Sequence, residues 1–125
     1  RQEKVNRLAE RLPLQEVQGD EDADLLVVGW GGTAGALTSA VEEMRSEGKK
    51  IAYAHFNYIS PLPRNTEEIL RKYKKIVVCE LNMGQFVNYL RMKFQGIMFH
   101  QYNKIKGLPF VEGELKAEFN KILGE

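Results

Sequence analysis

Between Asp24 and Gly35 the chain reads Asp-Leu-Leu-Val-Val-Gly-Trp-Gly-Gly-Thr-Ala-Gly, and few folds can accommodate that run. Leu25 to Val28, continued by Gly29, is unbroken aliphatic sequence. It suits a central strand covered on both faces. Gly29, Gly31, Gly32 and Gly35 let the backbone turn sharply and leave its amides uncovered by side chains. Thr33 is placed to cap a following helix, whose Leu37, Ala40, Val41 and Met44 share one face. A parallel α/β sheet is built by repeating this strand–turn–helix unit. Such sheets bind ligands at the loops beyond the carboxyl ends of their strands.

The rest of the chain repeats the unit. Val5, Leu8, Ala9 and Leu12 fall at helical spacing within Glu3–Leu12, and Pro13 stops that helix. Residues 1–13 read as a connector from a preceding domain, and 14–125 as one α/β domain. Leu14–Val17 reads as a brief edge strand. After the first helix, Gly48 stands where a helix C-terminal glycine belongs. Ile51–Phe56 is the next strand. Asn65 with Glu68 reads as a capping box for a helix from Thr66 to about Tyr73. Lys74 and Lys75 stand at that helix's end, where its dipole favours cations. Ile76–Cys79 is a third aliphatic strand. Asn82, with Gln85 as box partner, caps a helix bearing Phe86, Leu90 and Phe94. Ile97–Tyr102 is a last strand and Asn103–Pro109 a loop. Glu112–Leu123 is a final helix with Leu115, Phe119 and Ile122 inward. Strands and helices therefore alternate, the signature of a three-layer α/β/α domain with a largely parallel sheet. Right-handed crossovers put the Leu25 and Ile76 strands side by side at the centre. The Ile51 and Ile97 strands flank them. The topological switch then falls between the central pair, with a crevice lined by Gly29–Gly35 and Glu80–Gln85.

Bulk properties narrow the function. The 125 residues suffice for one domain with a proper core. A formal net charge of +1 gives no electrostatic case for nucleic acid or an anionic membrane. No apolar run approaches the roughly 18–20 residues of a membrane span. The single cysteine, Cys79, permits no intrachain disulfide. Nor can one thiolate hold an iron–sulfur cluster, which takes about four.

The candidate crevice comprises Gly29, Trp30, Gly31, Gly32, Thr33, Asn82, Gly84 and Gln85. Gly29-x-Gly31-x-x-Ala34 fits the dinucleotide fingerprint in outline. However, the acidic residue that should end the second strand is replaced by His55, Phe56 and Asn57. No Lys-Ser or Lys-Thr follows the glycines, so this is not a P-loop. The helix start could bind an anion through free amides. Equally, the glycines could admit the backbone of another domain. Trp30 is either an interface anchor or a side chain folded onto its own core. Capping explains Asn82 and Gln85 without a ligand. Cys79, inside a strand, is expected to be inert. His55 and His100 are expected at strand ends on the crevice rim. No cluster has metal-ligand spacing, and no catalytic residue is assigned.

Five stretches in order carry a resemblance. They are Asp22–Thr33 (Asp-Ala-Asp-Leu-Leu-Val-Val-Gly-Trp-Gly-Gly-Thr), Tyr58-Ile-Ser-Pro-Leu-Pro63, Glu80-Leu-Asn-Met-Gly-Gln85, Tyr102–Phe110 and the leading Arg7-Leu-Ala-Glu10. Together they resemble the last domain of the alpha subunit of 2-oxoacid:ferredoxin oxidoreductases, the 2-oxoglutarate type most of all. Gly32 stands where that family usually has serine, and Cys79 where proline is common. The lost hydroxyl weakens any ligand role for that position's side chain. The resemblance implies a fold like the C-terminal domain of transketolase, with a five-stranded sheet whose antiparallel edge would be Leu14–Val17. It implies a cytoplasmic enzyme that decarboxylates a 2-oxo acid on thiamine diphosphate, releases acyl-CoA and reduces ferredoxin. It also implies that thiamine diphosphate, Mg2+ and the iron–sulfur cluster are held elsewhere in the complex, with none bound by this domain. The partners implied are the preceding domains of the same alpha chain, the beta subunit and ferredoxin.

Two readings remain open. In the first, this is a non-catalytic assembly domain that shapes access to an active site. In the second, the Gly29–Gly35 loop and Asn82–Gln85 contact coenzyme A or another phosphate-bearing molecule. Exposed apolar surface around Trp30, Met83 and Phe86 favours the first. An anion at the Thr33 helix start favours the second.

Overall fold

A computed structural model describes residues 8–104 and 108–125. Four strands, β1 (Leu25–Trp30), β2 (Ile51–Phe56), β3 (Lys75–Glu80) and β4 (His100–Asn103), form one sheet in the order β2-β1-β3-β4. All three pairings are parallel, with Leu25 opposite both Ile51 and Lys75, and Val77 opposite His100. This is the order that right-handed crossovers between the aliphatic runs require.

Three helices connect the strands, α1 (Ala34–Ser46), α2 (Thr66–Lys72) and α3 (Gln85–Lys93), and a fourth, α4 (Glu112–Leu123), follows β4. Strand alternation divides the core in two. Leu26, Val28, Ile76 and Val78 pack beneath α2 and α3. Leu25, Val27, Val77 and Cys79 pack with α1 and α4 on the other face. The α1 stripe is buried as its spacing predicts, through Leu37, Ala40, Val41 and Met44. Gly48, at φ +90°, closes the end of α1; its N–H donates to the Arg45 carbonyl at 3.0 Å.

Several local expectations change. Leu14–Val17 is not a fifth strand, and the antiparallel edge shrinks to one bridge between Gln18 and Tyr53. The reason lies in Asn65, whose carboxamide does not cap α2. Instead it clasps Gln15, accepting from the Gln15 N–H at 2.8 Å and donating to its carbonyl at 3.0 Å. Gln15 in turn sends its side-chain amide to the His55 carbonyl at 2.7 Å, where a backbone partner would sit in a full strand. Lys75 does not serve α2. Its ammonium donates to the carbonyls of Ile122 and Glu125 at 2.8 and 2.9 Å, stabilising the end of α4. β4 starts three residues later than expected and runs one residue further. Residues 8–11 are helical; the earlier part of the expected Glu3–Leu12 helix, and positions 105–107 of the expected loop, lie outside the described residues.

Candidate functional site

The central strands β1 and β3 end side by side, and each runs into a turn and then a helix. Their register places Gly29 beside Cys79. One step further along, Trp30 and Glu80 leave adjacent strands on the same face, following Val28 and Val78. The two side chains meet there. The indole Nε1–H of Trp30 donates to Glu80 Oε1 at 3.1 Å. The structure thus brings the two predicted lips together and ties them across the switch point.

Glu80 is fully buried. Besides the indole, Oε1 accepts from the Phe86 N–H at 2.8 Å and Oε2 from the Val87 N–H at 2.9 Å. These are first-turn amides of α3, which have no partner inside the helix. A carboxylate there also faces the positive end of the helix dipole. Burial of an acidic group costs little when three N–H donors satisfy it. Asn82 covers the preceding amides, its Oδ1 accepting from Gly84 at 2.9 Å and Gln85 at 3.2 Å. Gly84 turns the chain at φ +88°, where an L side chain is strained. The Gln85 side chain is exposed. Capping therefore accounts for Asn82 and Gly84.

The β1–α1 turn is built differently. Gly29 is required by close approach within the domain. A Cβ there would lie 2.4 Å from Leu37 Cδ1, 2.9 Å from Thr33 Oγ1 and 3.0 Å from the Tyr53 hydroxyl. Thr33 does not cap α1, contrary to expectation. Its hydroxyl turns back and donates to the Trp30 carbonyl at 3.0 Å, closing the 3-10 turn Gly31–Thr33. α1 has no side-chain cap and no acidic residue in its first turn. Above Gly31, Gly32 and Gly35 the space is open, with no atom within 4 Å of an added Cβ.

Trp30 folds onto its own domain, its ring 6.0 Å from that of Phe86. Phe86 is buried, so the apolar surface expected around Trp30, Met83 and Phe86 reduces mainly to Met83, 81% exposed, with Leu81 beside it in sequence at 40%.

The histidines separate. His55, opposite Gly29 in the register, pairs its Nδ1 with the Tyr53 hydroxyl at 2.7 Å, and desolvation lowers its pKa. It lines a groove of about 390 Å3 with Gln15, Glu16 and Tyr58. His100 does not end a strand. It starts β4, at the opposite end of the sheet, with Nε2 3.6 Å from the Glu125 carboxylate. Burial pushes the Cys79 thiol up, which keeps it protonated and unreactive. Among the described residues no three His, Cys, Asp or Glu side chains are grouped to hold a metal ion. Sequence reasoning placed Glu80 at the start of the crevice lip but gave its side chain no role. The signal was available: the third alternate residue after Ile76 and Val78, on a strand pairing with the one that carries Trp30.

Residues 23–114 match the family described as pyruvate:ferredoxin oxidoreductase core domain II. The chain belongs to that family. A 2-oxoglutarate oxidoreductase subunit KorA from Mycobacterium tuberculosis is 40% identical over 94 residues, which are 75% of this chain and 14% of the relative. Subunit alpha of 2-oxoacid:ferredoxin oxidoreductase 1 from Aeropyrum pernix is 38% identical over 88 residues, 67% of this chain and 14% of the relative. The chain thus spans about a seventh of these curated relatives. Among solved structures, the 2-oxoglutarate:ferredoxin oxidoreductase of Magnetococcus marinus, with 2-oxoglutarate, coenzyme A and succinyl-CoA bound, superposes with a TM-score of 0.86. It is 25% identical, over 94% of this chain and 21% of that one. A split-gene transketolase superposes at a TM-score of 0.64 over 87% of this chain and 42% of its own; at 15% identity it shows the fold alone. The five stretches resemble alpha subunits of these 2-oxoacid:ferredoxin oxidoreductases, and the transketolase-like fold is the one that resemblance implies. Among the described residues no helix is long and apolar enough to cross a membrane.

Proposed function

We propose that residues 14–125 are the C-terminal, non-catalytic domain of the alpha subunit of a 2-oxoacid:ferredoxin oxidoreductase, and that residues 1–13 connect it to a preceding domain. The enzyme is cytoplasmic. It decarboxylates a 2-oxo acid on thiamine diphosphate, yields acyl-CoA and passes electrons through iron–sulfur chemistry to ferredoxin. The domain holds the alpha chain's other domains and the beta subunit in place, and so shapes access to the active site. One observation carries this reading: the carboxylate of Glu80 occupies the amides of α3 and ties both lips of the switch point together. What remains outward is a surface with Leu81 and Met83 on it.

Among the described residues no side chains are grouped to hold Mg2+, and the only thiol is buried, which does not fit an iron–sulfur cluster. The α3 amides are already bonded to Glu80, so a diphosphate finds no free donors at that turn. In this reading the three groups are held by other parts of the complex. The test replaces Leu81 and Met83 by serine in the full alpha chain. Assembly with the beta subunit, followed by analytical ultracentrifugation, weakens about ten-fold while the melting temperature of the alpha chain holds. Unchanged assembly would overturn the reading.

A second reading has its own support. The uncapped start of α1 and the open backbone at Gly31, Gly32 and Gly35 can receive a phosphate of coenzyme A. Trp30 is the only tryptophan. Its emission is followed while this chain is titrated with coenzyme A, pyrophosphate and thiamine diphosphate. A saturable change that Gly32→Val removes supports phosphate contact; a flat signal at millimolar ligand counts against it.

A further inference from the structure

The outer edge of β2 is only half zipped. Tyr53 and Gln18 exchange both backbone bonds across it, at 2.8 and 2.9 Å. The backbone groups of a strand point alternately to its two sides, so His55 faces the same edge as Tyr53. In that antiparallel register the next rung sets Glu16 opposite His55. The rung does not form. The N–H groups of Glu16 and His55 find no acceptor among the described residues, and one side chain takes both of their carbonyls. Gln15 Nε2 donates to the His55 carbonyl at 2.7 Å and to the Glu16 carbonyl at 3.0 Å. The carboxamide therefore stands inside the missing rung. The backbone of Gln15 itself is held on the other side, in the Asn65 clasp.

We propose that residues 14–17 are a strap held one rung short of closing on β2, with the Gln15 carboxamide as the wedge. Withdrawing the wedge lets Glu16 and His55 exchange two backbone bonds, and the single bridge grows into an antiparallel fifth strand. The exchange is nearly even. The open strap keeps two bonds from the carboxamide and leaves two backbone N–H groups to water. The closed strap keeps two backbone bonds and leaves the carboxamide to water. A small bias therefore decides between the two states. The Asn65 clasp uses only backbone atoms of Gln15, so it holds in both and keeps the segment aligned for pairing. Closure draws Glu16 across the groove of about 390 Å3 that it lines with His55, Asn57 and Tyr58. The position of the strap thus sets how freely solutes reach the His55 imidazole.

The experiment follows backbone hydrogen exchange in the full alpha chain, with single amides resolved by electron-transfer fragmentation. In the parent the Tyr53 and Gln18 amides exchange slowly, and those of Glu16 and His55 exchange fast. Gln15→Val removes the wedge, keeps the backbone that Asn65 clasps and favours an extended chain. The expected result is that the Glu16 and His55 amides slow together, about ten-fold, while Tyr53 is unchanged. Modification of His55 by diethyl pyrocarbonate slows in parallel; His100, at the other end of the sheet, reacts as before and serves as the internal control. Glu16 and His55 amides that stay fast in Gln15→Val, or that are already slow in the parent, overturn the proposal. Faster exchange at Tyr53 and Gln18 in the variant overturns it as well, since the carboxamide would then be a staple and not a wedge. Slowed exchange with unchanged modification of His55 overturns the control of access alone.

Discussion

The β1–α1 and β3–α3 turns stand on neighbouring parallel strands, and each carries a glycine at positive φ. They dispose of their helix amides in opposite ways. The β3–α3 turn bonds its amides internally, through Glu80 and Asn82. The β1–α1 turn leaves α1 uncapped and its backbone bare. A helix start can receive an external anion only if its own chain has not supplied one. Of two turns that look alike in outline, only one keeps that capacity, and Trp30 joins it to the other.

Removing Glu80 breaks this contrast most severely. Glu80→Ala strands two buried amides and the indole N–H, and costs about 3 kcal/mol in urea denaturation. Trp30 emission shifts with it, because the indole loses its acceptor. If stability and emission both hold, the carboxylate is not what closes this turn. Gly29→Ala comes next. Its methyl group would press into Leu37, Thr33 and Tyr53, and overpacking of this kind costs about 2 kcal/mol. Gly31→Ala costs about 1 kcal/mol, through its φ of +67° alone, since the space above it is open. Gly32→Ser, at φ −81° and equally open, is neutral and serves as the control for that pair.

The smallest effect is a pH dependence on the β1–α1 side. Desolvation lowers the His55 pKa below its ordinary 6.5, so the unfolded chain binds this proton more readily than the folded one. Above the ordinary value both states are neutral and His55 contributes nothing to the slope. As pH falls from there towards the lowered value, stability drops; below it the loss is complete. His55→Gln flattens this part of the profile, read as denaturation midpoints between pH 7 and pH 5. A profile identical to the parent's would show that desolvation of His55 carries no weight.

The large features were legible because burial writes them into the sequence. Leu25–Val28 and Ile76–Cys79 are apolar throughout since both of their faces are covered, and strand order follows from crossover handedness. Thr33, Asn65 and Lys75 were misread for a common reason. Each is a residue type that serves the nearest helix end by default, and each found a better partner. Thr33 turned to a carbonyl three residues back; Asn65 and Lys75 each reached about 50 residues along the chain, which local spacing cannot reveal. The inward turn of the Glu80 side chain was not foreseen because an acid at a strand end ordinarily points to solvent. Only the combined register and alternation of two strands places it inside.

The clasp of Asn65 on Gln15 has a mechanical consequence. The segment entering the domain is held to β2 by one backbone bridge and to the body by a few side-chain amides, whereas β1 is bonded along its length on both sides. Load applied through the entering chain therefore peels residues 14–18 away before it reaches β1. The edge segment therefore yields first under load, while the sheet and the Trp30–Glu80 tie stay in register.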